Sequence, residues 1–392
     1  MPARDKALVH EVAGHVGPGT HVLILGIGDY PWLIDGAREN EAIAEGMGQL
    51  ASPPRSARAL ADWFVDGKFS NREQPLASVG LLLSERRPAS YRGQTVPRGT
   101  IDEVDRAVGH WLERASSDPN NQTIFFFAGH GVSSPSTQLL VRDYGSKPNN
   151  RFDGAINFDS FRAAMTSMTP GFQLFLIDAC RSPDSLVRAV RENSEAGRNL
   201  LTPTRGRPDG AAMQSVHHGA APFSPAYARI EGVGIYTEAI IQALNGGGAQ
   251  PNLRWWVGTD GLTTALSAYT IRLAAKLGLK QVPERLSGMS FKIHEPARPI
   301  AVPVYVSCVP QEVWRYPIHF QAELNGQITQ EHNHDPAADP EREDWSLTVP
   351  YREHLLSAHF PPGAPYQDVV NELLTVGLPE TSLPLEIKEK RP

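Results

Sequence analysis

The first 180 residues alternate short, continuously apolar runs with longer amphipathic stretches. The apolar runs break abruptly into glycine or polar residues, which is typical of parallel strands buried on both faces. The amphipathic stretches have helical periodicity, and in the clearest one Thr100 is placed to cap the helix, with Glu103 completing a capping box. This alternation predicts an α/β fold with a mostly parallel sheet flanked by helices. The predicted strands cover 21–28, 77–83, 124–130, 138–141 and 172–177, and the predicted helices cover 35–47, 56–65, 100–115 and 159–168.

The pattern changes twice in the second half of the chain. It is lost over about 181–230, where proline, glycine and arginine are frequent, and such composition predicts a long mobile loop. Helical periodicity returns over 232–244 and 259–277. After residue 295, prolines precede short β-type runs at 302–306, 318–320, 345–349 and 385–387. We therefore expect an α/β domain over residues 1–294 and a small β-rich domain over residues 295–392.

Two of the predicted strands lead into residue types that serve nucleophilic catalysis. One strand ends at His130, and Cys180 follows another. Because the carboxyl ends of neighbouring parallel strands meet at one edge of the sheet, we expect the two side chains to lie close together. A cysteine attacks a carbonyl group as a thiolate, which a nearby histidine can generate. The pair predicts a His–Cys dyad, although both residues also occur at strand ends in purely structural roles.

The flanks of the two residues carry a family resemblance. Ala-Gly-His-Gly at 128–131 and Asp-Ala-Cys-Arg at 178–181, with fifty positions between histidine and cysteine, resemble the caspase-like cysteine peptidases. The Asp-x-Cys form is similar to the metacaspase and bacterial orthocaspase branch. The resemblance covers roughly 20–290. It implies a caspase-like fold, a latent cysteine endopeptidase, and an oxyanion hole formed by the backbone amides of Gly131 and Cys180.

Substrate preference is expected to depend on Asp178. Strand alternation points this residue to the same face as Cys180, where its carboxylate would attract a cation. In the metacaspase-like branch an aspartate here accompanies cleavage after Arg or Lys, so the resemblance implies that specificity. The alternative is that Asp178 caps the loop after Cys180. The family's acidic run after the first strand is not matched, and among Asp29, Asp35 and Glu41 we favour Asp29 because it leaves that strand directly.

An enzyme with this specificity would find substrate sites in its own loop. Intersubunit linkers are cleaved in this way in the family, so self-cleavage is expected, although arginine-rich loops also serve solubility alone. The candidate arginines are Arg188, Arg191, Arg198, Arg205 and Arg207.

Composition indicates which classes of binding partner and which cellular compartment to expect. The chain has 37 Lys and Arg against 43 Asp and Glu, without long single-sign runs, so nucleic-acid and membrane partners are not expected. The sequence shows neither a signal peptide nor an apolar run of the roughly 18 residues that a membrane span needs, which favours a cytoplasmic protein. Cys180 and Cys308 lie far apart, which argues against a disulfide framework and a cysteine-based zinc site.

No cofactor or metal is expected at the dyad. Calcium is kept as an alternative, because some metacaspases need it and Asp143, Asp153, Asp159 and Asp184 flank the two motifs, but no EF-hand spacing is present. Four further histidines fall in polar sequence and are interpreted as exposed loop residues: His217, His218, His332 and His334.

The leading hypothesis is a latent Arg/Lys-directed cysteine endopeptidase that acts on proteins or peptides as a regulated effector of prokaryotic defence or cell death. By analogy of architecture, residues 296–392 would sense a nucleotide messenger or a protein activator. Two alternatives remain open: a catalytically silent caspase-like scaffold, and a separase-like or gingipain-like peptidase of the same clan.

Overall fold

The structure is a computed structural model that describes residues 5–133, 136–180, 197–202, 212–221, 224–229, 231–339 and 344–391. Up to residue 294, its strands are β1 (Leu8–Glu11), β2 (Thr20–Ile27), β3 (Leu76–Ser84), β4 (Ser90–Tyr91), β5 (Gln94–Thr95), β6 (Gln122–Gly129), β7 (Gly131–Ser133), β8 (Thr137–Leu140), β9 (Ala155–Asn157), β10 (Phe172–Ala179), β11 (Met213–His218), β12 (Ala249–Gln250), β13 (Trp256–Gly258), β14 (Glu284–Gly288) and β15 (Lys292–His294). The helices are α1 (Glu41–Ala44), α2 (Ser52–Val65), α3 (Ile101–Ala115), α4 (Phe158–Met165), α5 (Ile235–Gln242) and α6 (Thr259–Ala275).

A seven-stranded sheet in the order β1-β3-β2-β6-β10-β11-β14 forms the centre of this part. The five inner strands run parallel, and the two edge strands β1 and β14 pair antiparallel. Every residue of β2 and β6 is buried, as expected for strands covered by helices on both faces. The predicted α/β fold with a mostly parallel sheet is confirmed.

Side chains of the central strands alternate between two apolar cores. Ile124 and Phe126 belong to the core that contains the buried residues of α2, α5 and α6. Phe125 and Phe127 belong to the core on the opposite face, which contains those of α3 and α4. This three-layer arrangement leaves the carboxyl ends of the strands as the edge where side chains can meet a ligand.

Most predicted helices are present, and one is largely absent. α3 begins after Thr100 with the expected capping box. The helix predicted over 35–47 shrinks to the four residues of α1, where the Asn40 side chain accepts from the first turn. Left-handed backbone at Asp35 and Glu45 interrupts the helix on either side. The spacing of apolar residues alone does not predict these two left-handed positions.

The segment predicted as one long loop over 181–230 contains β11, an inner strand of the central sheet. Its sequence, Met-Gln-Ser-Val-His-His, is polar, but its side chains are hydrogen-bonded inside the fold: Gln214 donates to Gln173, and the Ser215 hydroxyl lies 2.9 Å from Nε2 of His217. His217 and His218 are therefore buried strand residues, and their interpretation as exposed loop residues is wrong. Burial lowers the pKa of His217 to about 3.

The C-terminal part consists of β-sheets, as the sequence predicts. Its strands are β16 (Ala301–Val309), β17 (Ile318–Leu324), β18 (Gln327–His334), β19 (Trp345–Pro350), β20 (His354–His359), β21 (Val369–Leu374) and β22 (Thr381–Glu386). They form one sheet in the order β19-β16-β22 and another in the order β18-β17-β20-β21. Phe320 stacks on Trp345 at 5.3 Å between ring centroids. His332 and His334 lie on β18, so their assignment to a loop is wrong, and His334 is buried.

The C-terminal sheets pack against helix α6. Arg272 pairs with Glu380 at 2.7 Å, and its guanidinium lies 3.8 Å from the ring centroid of Tyr305. The Tyr269 hydroxyl donates to the Pro379 carbonyl. The expected boundary near residue 295 falls between β15 and β16, and the division into two domains stays a prediction. Among the described helices, none has the length and hydrophobicity that a membrane span requires.

Candidate active site

The register of β6 and β10 brings the two predicted catalytic residues together. The parallel pairs run from Gln122 and Phe172 to Gly129 and Ala179, and the next residues along the two strands are His130 and Cys180. They leave the sheet as neighbours at its carboxyl edge. Their proximity follows from strand pairing and does not depend on the conformation of a loop.

Gly131 lies against the backbone of the cysteine. A Cβ atom built on this glycine would stand 2.8 Å from the carbonyl oxygen of Cys180 and 3.0 Å from Cβ of Ala179. Contacts this short exclude any larger side chain without a shift of the backbone. Only glycine therefore lets the chain after His130 approach Cys180 so closely. The assignment of the Gly131 and Cys180 amides to an oxyanion hole stays a prediction.

The imidazole of His130 is held in one orientation. Its Nε2 lies 2.8 Å from the carbonyl oxygen of Gly48, and because that oxygen can only accept, the proton is assigned to Nε2. The Tyr30 hydroxyl accepts from the backbone N–H of His130, and the two rings lie 4.9 Å apart. Burial lowers the pKa of His130, so the ring is neutral at neutral pH. Nδ1 is then the nitrogen available to take a proton.

The thiol of Cys180 is in contact with the backbone of Ala226. Its Sγ accepts from the Ala226 N–H at 3.2 Å and lies 3.6 Å from the Ala226 carbonyl oxygen. Burial raises the pKa of the thiol; the Ala226 N–H opposes that shift, and the charge of Asp178 adds to it. The hydrogen bonds of Sγ to other described residues therefore go to Ala226, in the segment 224–229, and the cysteine is a thiol at neutral pH.

Asp178 is buried beneath the cysteine and bonded to the first turn of α5. Its Oδ2 accepts from the Thr237 hydroxyl at 2.6 Å, and the Thr237 backbone N–H is a second donor to the carboxylate. The preceding Gly234 has no side chain that could cap the helix, so Asp178 takes that role. Asp178 thus caps α5, whereas the alternative that it caps the loop after Cys180 concerns residues outside the described structure. Burial raises the pKa of Asp178 to about 6.

Thr237 is a site residue that the sequence analysis does not assign. Its signal is the Gly-Ile-Tyr-Thr start of α5, at 234–237, because a helix whose N-cap is glycine needs an acceptor from elsewhere. The identity of that acceptor depends on tertiary contacts and could not be predicted from local sequence.

Asp29 is bound by two arginines. Its Oδ2 lies 3.0 Å from the guanidinium of Arg98 and 2.9 Å from that of Arg142, and its side chain is almost completely buried. Two cations already balance this carboxylate, so the geometry does not support a contact with a basic substrate. A role for Asp29 in substrate binding stays a prediction.

One of the five arginines proposed for self-cleavage lies in the described structure. Arg198 pairs with Asp102 and Asp153. Its backbone N–H donates to the Ala155 carbonyl at 2.7 Å, and its carbonyl accepts from Asn157 at 3.1 Å. The other four, Arg188, Arg191, Arg205 and Arg207, lie outside the described residues.

The acidic residues considered for calcium have other partners. The Asp143 carboxylate accepts from the Ile101 N–H, Asp153 pairs with Lys147, and Asp159 accepts from the Thr137 N–H. Asp184 is not among the described residues. Within the described ranges, no group of three or more His, Cys, Asp or Glu side chains is placed to hold a metal ion.

We expect iodoacetamide to alkylate Cys180 slowly at neutral pH and faster as the pH rises past about 9, because only the thiolate reacts and burial raises the thiol pKa. The rate is measured by mass spectrometry from about pH 6 to about pH 10. The control is Cys180→Ala, which retains only Cys308; this thiol is buried, and its pKa of about 12 predicts very little alkylation. A rate that levels off below about pH 8 would contradict the prediction, since it would indicate a preformed thiolate.

We expect Asp178→Asn to remove a loss of stability that the wild type suffers between about pH 4 and about pH 6. Below this window the Asp178 carboxyl is protonated in both the folded and the unfolded protein. Within the window the unfolded chain releases its proton first, so the free energy of unfolding falls until the pH passes the pKa of Asp178 in the folded protein. Above the window, the raised pKa of Asp178 costs the wild type about 3 kcal/mol of its free energy of unfolding. Urea unfolding of both proteins at each pH measures it, with Asp105→Asn on the exposed surface of α3 as control. Parallel pH profiles for wild type and Asp178→Asn would exclude this effect.

Comparisons with known proteins identify the family of the chain. The family model described as "Caspase domain" matches residues 20–293. A protein of Sinorhizobium fredii (strain NBRC 101917 / NGR234), the uncharacterized protein y4kE, is 28% identical over 212 residues, which cover 48% of this chain and 58% of that protein's length. Among solved structures, the crystal structure of caspase-1 from Spodoptera frugiperda matches with a TM-score of 0.39 and 11% identity, over 72% of this chain and 94% of that one. The family match covers most of the chain, which therefore belongs to the caspase-domain family of peptidases.

Proposed function

We propose that this protein is a cysteine endopeptidase in which Cys180 is the nucleophile and His130 the general base. The observation that carries the proposal is the β6–β10 register, which sets the two residues side by side at the carboxyl edge of the sheet. The bond from His130 to Gly48 supports it further, because it places the proton on Nε2 and leaves Nδ1 able to accept one. A purely structural role would not require both features at once.

In the proposed reaction, Nδ1 of His130 takes the thiol proton as Sγ of Cys180 attacks the carbonyl carbon of the scissile bond. The amides of Gly131 and Cys180 would donate to the oxyanion that forms. His130 then gives its proton to the leaving amine, and a thioester remains on Cys180. Water, deprotonated by His130, hydrolyses the thioester and restores both residues.

We propose cleavage after Arg or Lys, with Asp178 as the acid that attracts the substrate's cation. Within the described residues no cation pairs with this carboxylate, whose bonds go to the neutral Thr237, whereas Asp29 already binds two arginines. An uncompensated buried carboxylate beside the nucleophile favours a cationic partner. An acidic residue in this role also accords with the Asp-x-Cys sequence, and so with the metacaspase and orthocaspase branch.

We propose that the described conformation is latent. The Ala226 backbone forms two hydrogen bonds with the thiol, and the side chains of His130 and Cys180 are neutral. Activation would therefore require segment 224–229 to move away from Cys180, which frees Sγ to approach His130. Such control fits a regulated effector of prokaryotic defence or cell death, a role that we propose from the joining of a peptidase fold to a β-rich unit.

A panel of fluorogenic peptides tests the reaction and its specificity. We expect turnover after Arg or Lys, not after Asp, and a loss of about a thousandfold or more in Cys180→Ala and His130→Ala. Asp178→Asn should lower kcat/KM for Arg and Lys substrates about tenfold, since it removes the attracting charge. Cys308→Ala is the matched control and should keep full activity, and each assay is repeated with calcium. Turnover that persists in Cys180→Ala would exclude the proposed dyad. Absence of turnover by the wild type after activation would favour the scaffold alternative.

Self-cleavage is tested by intact mass. We expect the activated wild type to be cut after some of Arg188, Arg191, Arg205 and Arg207, and Cys180→Ala to stay whole. Arg198 should remain uncut, because its backbone and guanidinium are both bonded and a peptide must be free to enter an active site as an extended strand. Identical masses for the two proteins would contradict self-cleavage, and a cut at Arg198 would show that these bonds open.

A further inference from the structure

A cleft lies in the caspase-type part beside the segment that leads into the C-terminal sheets, and no residue of the two catalytic motifs lines it. Its volume is about 770 Å³. It is lined by the segment after α2 (67–72), Asn245 in the turn after α5, the pair Arg254 and Trp255, and the segment 294–298, and we call it the junction cleft. Small-molecule sites have volumes of this order and often lie between structural units.

The lining of the junction cleft is strongly cationic. Lys68, Arg72, Arg254 and Arg298 contribute four positive charges against the single carboxylate of Glu295. That carboxylate is already engaged, since it accepts from Lys292 at 2.6 Å and lies 3.7 Å from Arg72. The chain as a whole carries a net charge of −6, so this concentration of positive charge is local. A cleft lined by one sign of charge attracts the opposite charge, here an anion.

An aromatic ring stands among these cations. Trp255 is held at 4.8 Å from Tyr351 in an edge-on contact, and the Arg298 guanidinium lies 5.4 Å from its ring centroid. Arg298 also donates to the carbonyl oxygen of Arg254 at 3.1 Å. Arg254 and Trp255 have φ values of 57° and 66°, a conformation that costs energy for residues with a Cβ. Strained backbone of this kind concentrates at ligand sites.

We infer that the junction cleft binds a nucleotide, with its phosphates on the cationic side chains and its base against the indole of Trp255. Guanidinium and ammonium groups are the usual partners of phosphate, and a tryptophan ring is a stacking surface that accepts any base. The combination of phosphate ligands and an aromatic ring in one cleft favours a mononucleotide or dinucleotide over inorganic phosphate. The site goes beyond the proposed peptidase activity and does not depend on it.

Calorimetric titration of the full chain with ATP, tripolyphosphate and adenosine tests the inference. We expect ATP to bind, tripolyphosphate to bind about tenfold more weakly because it lacks a base, and adenosine not to bind within the same concentration range. Binding of ATP should weaken as salt is raised. Equal affinity for ATP and tripolyphosphate would show that the cleft recognises phosphate groups and not the base, which contradicts the inference. Absence of binding by both at millimolar concentration would overturn it. Titration of Cys180→Ala, expected to match the wild type, separates this result from the fate of the peptidase proposal.

Variants at the surface of the cleft locate the site. Lys68→Glu combined with Arg72→Glu changes two exposed side chains and should weaken ATP binding about tenfold or more. Trp255→Leu should weaken ATP but not tripolyphosphate. The control Arg315→Glu reverses an exposed charge outside the cleft and should change neither affinity. Unchanged ATP affinity in the Lys68 and Arg72 double variant, with an unchanged thermal unfolding midpoint, would place the ligand elsewhere and overturn the assignment.

Discussion

The parallel pairing of β6 with β10 is the interaction on which the candidate site depends. It buries two apolar strands in register, and the same register determines that His130 and Cys180 emerge as neighbours. The apolar cores on either face hold this register, because a slip of one residue would turn every phenylalanine of β6 to the opposite core. The energy that stabilises the fold therefore also positions His130 and Cys180.

Helix α5 connects the site to the rest of the molecule, and α2 fixes it at both ends. At its start, the Gly234 N–H donates to Oγ of Ser56; beyond its end, Nε1 of Trp63 donates to Oδ1 of Asn245. The first turn of α5 supplies Thr237 to Asp178, and the turn after it contributes Asn245 to the junction cleft. One short helix and the turn after it thus contribute to both the buried carboxylate near Cys180 and the proposed nucleotide site.

The apolar strands, the α3 capping box and the His–Cys pair could be predicted from sequence, because each is encoded by a local pattern or by a strand that ends on a reactive residue. β11 could not, since its polar residues are accommodated in the sheet through contacts that a local apolar pattern does not reveal, such as the bond from Gln214 to Gln173. For the same reason the acceptor of His130 at Gly48 and the contact of Cys180 with Ala226 have no local signature. A carboxylate such as Asp29 is equally ambiguous until its arginine partners are known.

The position of β11 also determines what a broken chain would look like. The strands on either side of the segment 181–212 are neighbours in the sheet, joined by six register pairs from Phe172 with Met213 to Ile177 with His218. A cleaved backbone would therefore leave two polypeptides that share one sheet and two cores. They would separate under denaturing conditions yet migrate as a single particle in native solution. The six backbone pairs and the two shared cores would hold the pieces together without the covalent link.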